Sequence, residues 1–306
     1  MSKVNLTSRP CDGSSRQGFA WLALLGAVAA WWVRDLSVNW SLLPEYKFGW
    51  IVLVLTGFLA WERWPTRPEG DVPSGLGTGL AVLLPSFIAV LVAELYRVGI
   101  ARTPSSSWLL SVGMGGFVAG IGLLGFGRRT TRHFLFPLLF FFVAVPVPKL
   151  VWNPIVLNLQ AMITFLNVEA LGVLGVPAVQ EGSVIQLANT RVGVDEACSG
   201  IRSLQSSIMA GLFIGDLVLR RPWWKFVFLI LGVILAVLGN FGRSLFLTLT
   251  ANSAGADALN KVHDPAGWGV LLFTAVGIGG LAFLATRLES RISELRSEPE
   301  VGDLED

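Results

Sequence analysis

Cys198 lies in the run Val194-Asp195-Glu196-Ala197-Cys198-Ser199-Gly200-Ile201-Arg202-Ser203-Leu204, where a polar, loop-like stretch turns into a long apolar segment. A thiol held between water and lipid, beside charges and close to a helix start, is set up to ionise and act as a nucleophile. With Asp195 as N-cap, Cys198 falls in the first helical turn, where unpaired N–H groups and the positive dipole end stabilise a thiolate. Asp195 and Glu196 oppose that ionisation, so a cation is needed nearby. Arg202, at i+4, shares the thiol's helix face. A later apolar segment carries Gly239-Asn240-Phe241-Gly242-Arg243, with Asn240 and Arg243 on one face. His263, in Lys261-Val262-His263-Asp264-Pro265, is expected in a loop just before the next apolar run.

Each of the three central residues has a plainer reading. A membrane cysteine is most often a small packing residue, and a loop histidine a solvated one. An intramembrane arginine costs roughly 2.5–3.5 kcal/mol on insertion scales, which argues for a function. With Cys198, Arg243 and His263 expected at one depth, a single site is more economical than three separate explanations.

These residues must be positioned by membrane helices. Of 306 residues, 53% are hydrophobic and only 14% charged, and the mean hydropathy is +0.64, so the chain is expected to be an all-α integral membrane protein. Its net charge of +2 argues against nucleic acid as a partner. Two cysteines, the other being Cys11 in the polar N-terminal tail, provide no disulfide framework and no zinc spacing, and no cofactor is expected.

Apolar runs predict about eight transmembrane helices, each near the roughly 20 residues that cross a bilayer. They are read at 18–33, 48–61, 76–96, 107–126, 133–147, 198–218, 223–249 and 266–286. Residues 150–174 mix apolar positions with Asn153, Asn158, Gln160, Asn167 and Glu169, as in an amphipathic helix at the outer interface or a re-entrant segment. Val184–Leu187 and Arg191–Val194 flank a turn and read as a short extracytoplasmic hairpin leading to Cys198. The expected organisation is a cytoplasmic tail over 1–17, a polytopic membrane domain over 18–287 and a charged, disordered cytoplasmic tail over 288–306. Ala27-Val28-Ala29 resembles a signal cleavage site, but a long positive region and the following Trp31-Trp32 favour a retained span. With both termini cytoplasmic, 14 of the 23 basic residues fall on the inner side and the site faces outward.

The cysteine run, Asn240-Phe241-Gly242-Arg243, and His263 with Gly267 resemble the exosortase/archaeosortase family of membrane transpeptidase-like enzymes. Phe136-Pro137-Leu138, Pro146-Val147-Pro148 and Glu45-Tyr46-Lys47-Phe48-Gly49-Trp50 extend the resemblance over about residues 40–285. It implies a plasma (inner) membrane enzyme acting on membrane-anchored substrate proteins that end in a sorting signal: a short motif, a transmembrane helix and a basic cluster. Carried over by residue, Cys198 is the nucleophile, His263 the general acid/base and Arg243 the cation that stabilises thiolate or oxyanion, with Glu196, Arg202 and Asn240 as supporting candidates. The acceptor of the cleaved product is not indicated. Two rivals stand beside this reading. A membrane thioester acyltransferase would use the same cysteine, whereas a non-catalytic transporter or polysaccharide-assembly component would need a polar pathway through the midplane.

Overall fold

A computed structural model describes residues 12–194 and 200–297. The chain forms two compact units, Met1–Lys149 and Leu150–Asp306. Six helices are long and apolar enough to cross a membrane: Gln17–Leu42, Leu76–Gly99, Pro104–Phe126, Lys149–Val173, Pro222–Gly255 and Asp257–Ile292. Every apolar run read from the sequence is helical, but those near 48–61 and 133–147 yield only short elements, Gly49–Arg63 and Leu135–Ala144. The run at 198–218 contributes the 18-residue Ile201–Val218, which is not among the six. Residues 150–174, expected as an amphipathic helix at the interface or a re-entrant segment, fall on one helix, Lys149–Val173, that is also long and apolar enough to cross a membrane.

The first unit contains α1 (Asp12–Leu42), α2 (Gly49–Arg63), α3 (Leu76–Gly99), α4 (Pro104–Phe126), α5 (Arg128–His133) and α6 (Leu135–Phe141). Its centre is aromatic. Trp32, Trp40, Phe140 and Phe141 are buried, and the indole N–H groups of Trp32 and Trp40 donate to Ser111 Oγ (2.9 Å) and Ala144 O (2.8 Å), so neither polar tip is buried unpaired. Small residues set the α3–α4 approach: a methyl at Gly113 would meet the Ser86 carbonyl at 2.8 Å, and one at Gly120 would meet Leu83 at 2.6 Å. The Gly116/Gly120 spacing thus serves close helix packing, as small-residue repeats do in membranes.

Near the C-terminal end of α3, Arg97 forms a bidentate pair with Asp35 of α1 at 2.7 and 2.9 Å. It also donates to Glu94, Ser106 and Ser107. The i,i+3 partner Glu94 is legible from sequence; the stronger partner, Asp35, comes from another helix. The Arg97 and Asp35 side chains are only 3% and 7% exposed, so neither charge can fall back on water. Replacing Arg97 by Met should therefore destabilise the protein by roughly 3–5 kcal/mol, and the Asp35→Leu/Arg97→Met double variant by clearly less. Thermal unfolding in detergent measures both. A double-variant loss equal to the sum of the Asp35→Leu and Arg97→Met losses would show that the pair is not coupled.

The loop after α2 is tied to α5 by Asp71, whose carboxylate accepts the Thr130 N–H at 2.8 Å. This hydrogen bond, the largest cause, holds Asp71 below the usual carboxylate value. Since the folded-state value is the depressed one, the tie stabilises above the unfolded pKa and is lost as the pH falls through the folded one.

In the second unit, α7 (Lys149–Val173) leads into a three-stranded antiparallel sheet, β1 (Ala178–Glu181), β2 (Val184–Leu187) and β3 (Arg191–Gly193), in the order β1-β2-β3. β2 and β3 are the expected hairpin; β1 is an additional strand. Ile185 and Leu187 alternate inward from β2 and join Val192, Val194, Ile163, Leu171 and Ala251 in one apolar core. α8 (Ile201–Val218) follows. The segment Pro222–Ser297 is two helices joined at Gly255, α9 (Pro222–Gly255) and α10 (Asp257–Ile292). Helix continues to Ser297, so the tail expected from residue 288 starts as part of α10, and residues 298–306 lie outside the described residues.

Candidate active site

Uninterrupted helix would hold Arg243 and His263 about 30 Å apart, at 1.5 Å per residue. Gly255 prevents this. Its φ of 82° is a left-handed value open to glycine, and it turns the chain back on itself. The arms run antiparallel, with Gly239 against Val270 and Phe273, and Gly277 against Leu235. Arg243 Nη2 then lies 3.2 Å from His263 Nε2. Asn167 of α7 braces this region from behind by donating to Ser244 Oγ at 3.0 Å, one residue beyond Arg243.

A cleft of about 330 Å³ opens over the pair, lined by Gly200, Arg202, Asn240, Arg243 and His263 together with Asp264 and Trp268. Asn240 is 2% exposed and sits directly beneath Gly200, where a methyl would meet its amide group at 2.7 Å. Gly200 is also left-handed, with φ 86°. Both its conformation and the space available to it therefore require glycine.

The contacts of His263 follow from its neighbours. A guanidinium has donors only, so the Nε2 that faces Arg243 presents its lone pair. Nδ1 lies 3.2 Å from Asp264 Oδ1. Among the described residues, the cleft lining carries two guanidiniums, Arg202 and Arg243, and one carboxylate, Asp264. The arrangement favours an anion developing near Arg243 and can accept or return a proton at Nε2. Among the described residues, no group of three or more His, Cys, Asp or Glu side chains could hold a metal ion.

Arg202, Asn240, Arg243 and His263 are thus brought into one cleft. Cys198, Glu196 and Asp195 lie outside the described residues. Two expectations change. α8 starts at Ile201 with the left-handed Gly200 as its N-cap, later than the 198 read from the sequence. The N-cap expected at Asp195 and the i,i+4 relation of Arg202 to Cys198 fall on residues outside the described ones. His263 is not in a loop but inside α10, because the chain resumes helix immediately after Gly255 and Pro265 interrupts it without ending it. Proline removes one backbone donor, a defect that membrane helices tolerate when packed. Asp264, Gly267, Trp268 and Leu271, absent from the sequence-based site, follow from this: 263, 264, 267, 268 and 271 are one face of a helix.

A mainly helical, multi-pass membrane protein with an arginine–histidine cleft is the class that fold and site define. The family described as transmembrane exosortase (Exosortase_EpsH) matches residues 31–280, and the chain belongs to that family. Neither a curated protein nor a solved structure matches the chain.

Proposed function

We propose that this protein is a membrane cysteine peptidase/transpeptidase that cleaves exported proteins at a C-terminal tripartite sorting signal and transfers the product to an acceptor. The observation that carries the reading is the 3.2 Å approach of Arg243 to His263 in a cleft bordered by Gly200. Cys198 precedes Gly200 by two residues, and consecutive Cα atoms are about 3.8 Å apart, so covalent reach alone keeps it within about 8 Å of that border.

In the proposed reaction, Arg243 turns from Nε2 of His263 toward the developing oxyanion, and the released Nε2 takes the thiol proton as the Cys198 sulfur attacks the scissile carbonyl carbon. Arg243 and the Asn240 amide are the candidate donors for the resulting oxyanion. Collapse breaks the C–N bond, the leaving amine takes its proton from His263, and a thioester to Cys198 remains. A nucleophilic acceptor, or water, then attacks the thioester and restores the thiol. Glu196 and Arg202 are proposed to tune charge at the cleft mouth. A substrate held by its own transmembrane helix would enter sideways from lipid and bring its scissile bond to the membrane surface. Co-expression with a tailed candidate substrate, read by intact mass, tests the reading: a product shortened at the tail is expected, together with a hydroxylamine-labile adduct on Cys198. Tail removal without any such adduct would exclude the thioester route.

The proposed orientation has both termini cytoplasmic and the cleft on the extracytoplasmic face of the plasma (inner) membrane. A membrane-impermeant thiol reagent applied to intact cells, or to spheroplasts where an outer membrane exists, should therefore label Cys198 and reach Cys11 only after lysis. Labelling of Cys11 from outside would invert the topology.

A further inference from the structure

The first unit contains a second cavity, unrelated to the residues of the cleft. It measures about 390 Å³, within the usual size range of small-molecule sites, and lies between α1, α2, α4, α5 and α6. Its walls are Leu22 and Leu25 of α1, Val118 and Ala119 of α4, Phe134 and Leu138, with Gly18 at the edge and Gly122 where a methyl would meet Thr131 at 2.9 Å. Apolar lining alone would say only that lipid wets the surface. The rim adds something further.

Arg67 lies at the edge of the cavity. It is held there twice: its guanidinium stacks 4.8 Å above the Trp64 ring, and Nη1 donates to the Trp64 carbonyl at 2.9 Å. Arg67 forms no ion pair among the described residues, so its charge is fixed in place without being neutralised. Beside it, α5 turns Thr130, Thr131 and Phe134 toward the cavity and exposes Arg128, Arg129 and Arg132. Over 62–71 and 127–134 there are five arginines (63, 67, 128, 129, 132) against three carboxylates (Glu62, Glu69, Asp71), and Asp71 is engaged by the Thr130 N–H. An apolar slot closed at one end by a fixed cation is complementary to one molecule type in a membrane: an acyl chain carrying an anionic headgroup.

We propose that this cavity binds an anionic phospholipid, with one acyl chain between α1 and α4 and its phosphate at Arg67. The inference does not rest on the proposed enzymatic reading. A substrate's transmembrane helix is the competing occupant, but a helix followed by a basic cluster would bring like charge to Arg67.

The test uses the full-length protein in detergent, with phosphatidylglycerol, phosphatidylcholine and diacylglycerol as probes and native mass spectrometry as the readout. Wild type should retain phosphatidylglycerol about tenfold more strongly than phosphatidylcholine, which corresponds to about 1.4 kcal/mol. Arg67→Gln should erase that preference while still holding the diacyl species. Ala119→Phe, which fills the slot, should lose phosphatidylglycerol, with an unchanged elution profile and unfolding temperature showing that the fold is intact. If Ala119→Phe disturbs folding, Leu138→Trp closes the same slot from the other side and takes its place. Undiminished phosphatidylglycerol retention in a folded, slot-filled variant would overturn the proposal. So would an unaltered headgroup preference in Arg67→Gln, or displacement of the lipid by a peptide comprising a transmembrane helix and basic cluster.

Discussion

Cys198→Ala should abolish tail removal, with a loss on the order of 10⁴–10⁶-fold, while leaving insertion, expression and unfolding temperature at their wild-type values. The magnitude follows from the type of step removed. Without the sulfur there is no thioester, and the remaining cleft offers only electrostatics and an imidazole to an attack by water. Cys198→Ser retains a nucleophilic atom, but its pKa is far higher than a thiol's and Arg243 cannot make up that difference, so it too should be inactive. Substituting a small side chain opens little volume, and an unchanged unfolding temperature would separate loss of chemistry from loss of fold. Intact-mass measurement of a co-expressed substrate decides the matter. Processing near the wild-type rate in Cys198→Ala would end the covalent mechanism and move attention to the Arg243–His263 pair as a site with another purpose.

Most of the helical architecture is legible in the sequence because membrane helices announce themselves by long apolar runs. Two kinds of feature are not legible, for different physical reasons. A break between the runs 223–249 and 266–286 is legible, as is a common depth for Arg243 and His263; the position of the turn is not, because Ala251-Asn252-Ser253-Ala254-Gly255-Ala256 contains no proline and only one glycine, and a single left-handed residue makes it. Pro265 then pointed the wrong way, since proline beside His-Asp reads as a loop although a packed helix accommodates it. Long-range pairing is the second kind. Glu94 and Arg97 show their i,i+3 relation at once, whereas Asp35 is 62 positions away and reaches Arg97 only through the packing of α1 against neighbouring helices. β1 escaped notice because Ala178–Glu181 is four residues long and alternates between half-buried and exposed positions without a strong apolar face. Asn240 and Arg243, by contrast, lie three apart on a helix face in sequence and in structure alike.

Arg243→Lys should retain more activity than Arg243→Gln and still fall well below wild type, and the ordering separates charge from shape. An ammonium supplies the positive charge as a flexible point. A guanidinium supplies it as a planar fork that can hold two acceptors at once, and one of its nitrogens meets His263 Nε2 at 3.2 Å. Losing the fork but keeping the charge should cost roughly 10-fold to 100-fold; losing both should cost about 10²–10³-fold, the range seen when one oxyanion donor is removed. His263→Ala should lose about 10²–10⁴-fold, and raising the pH should restore little of it, because hydroxide can ionise the thiol but cannot protonate the departing amine. A cysteine–arginine site that needed no acid would instead recover in alkali. Wild-type activity in Arg243→Gln would reduce Arg243 to a half-buried structural cation, leaving Cys198 and His263 to act as a pair.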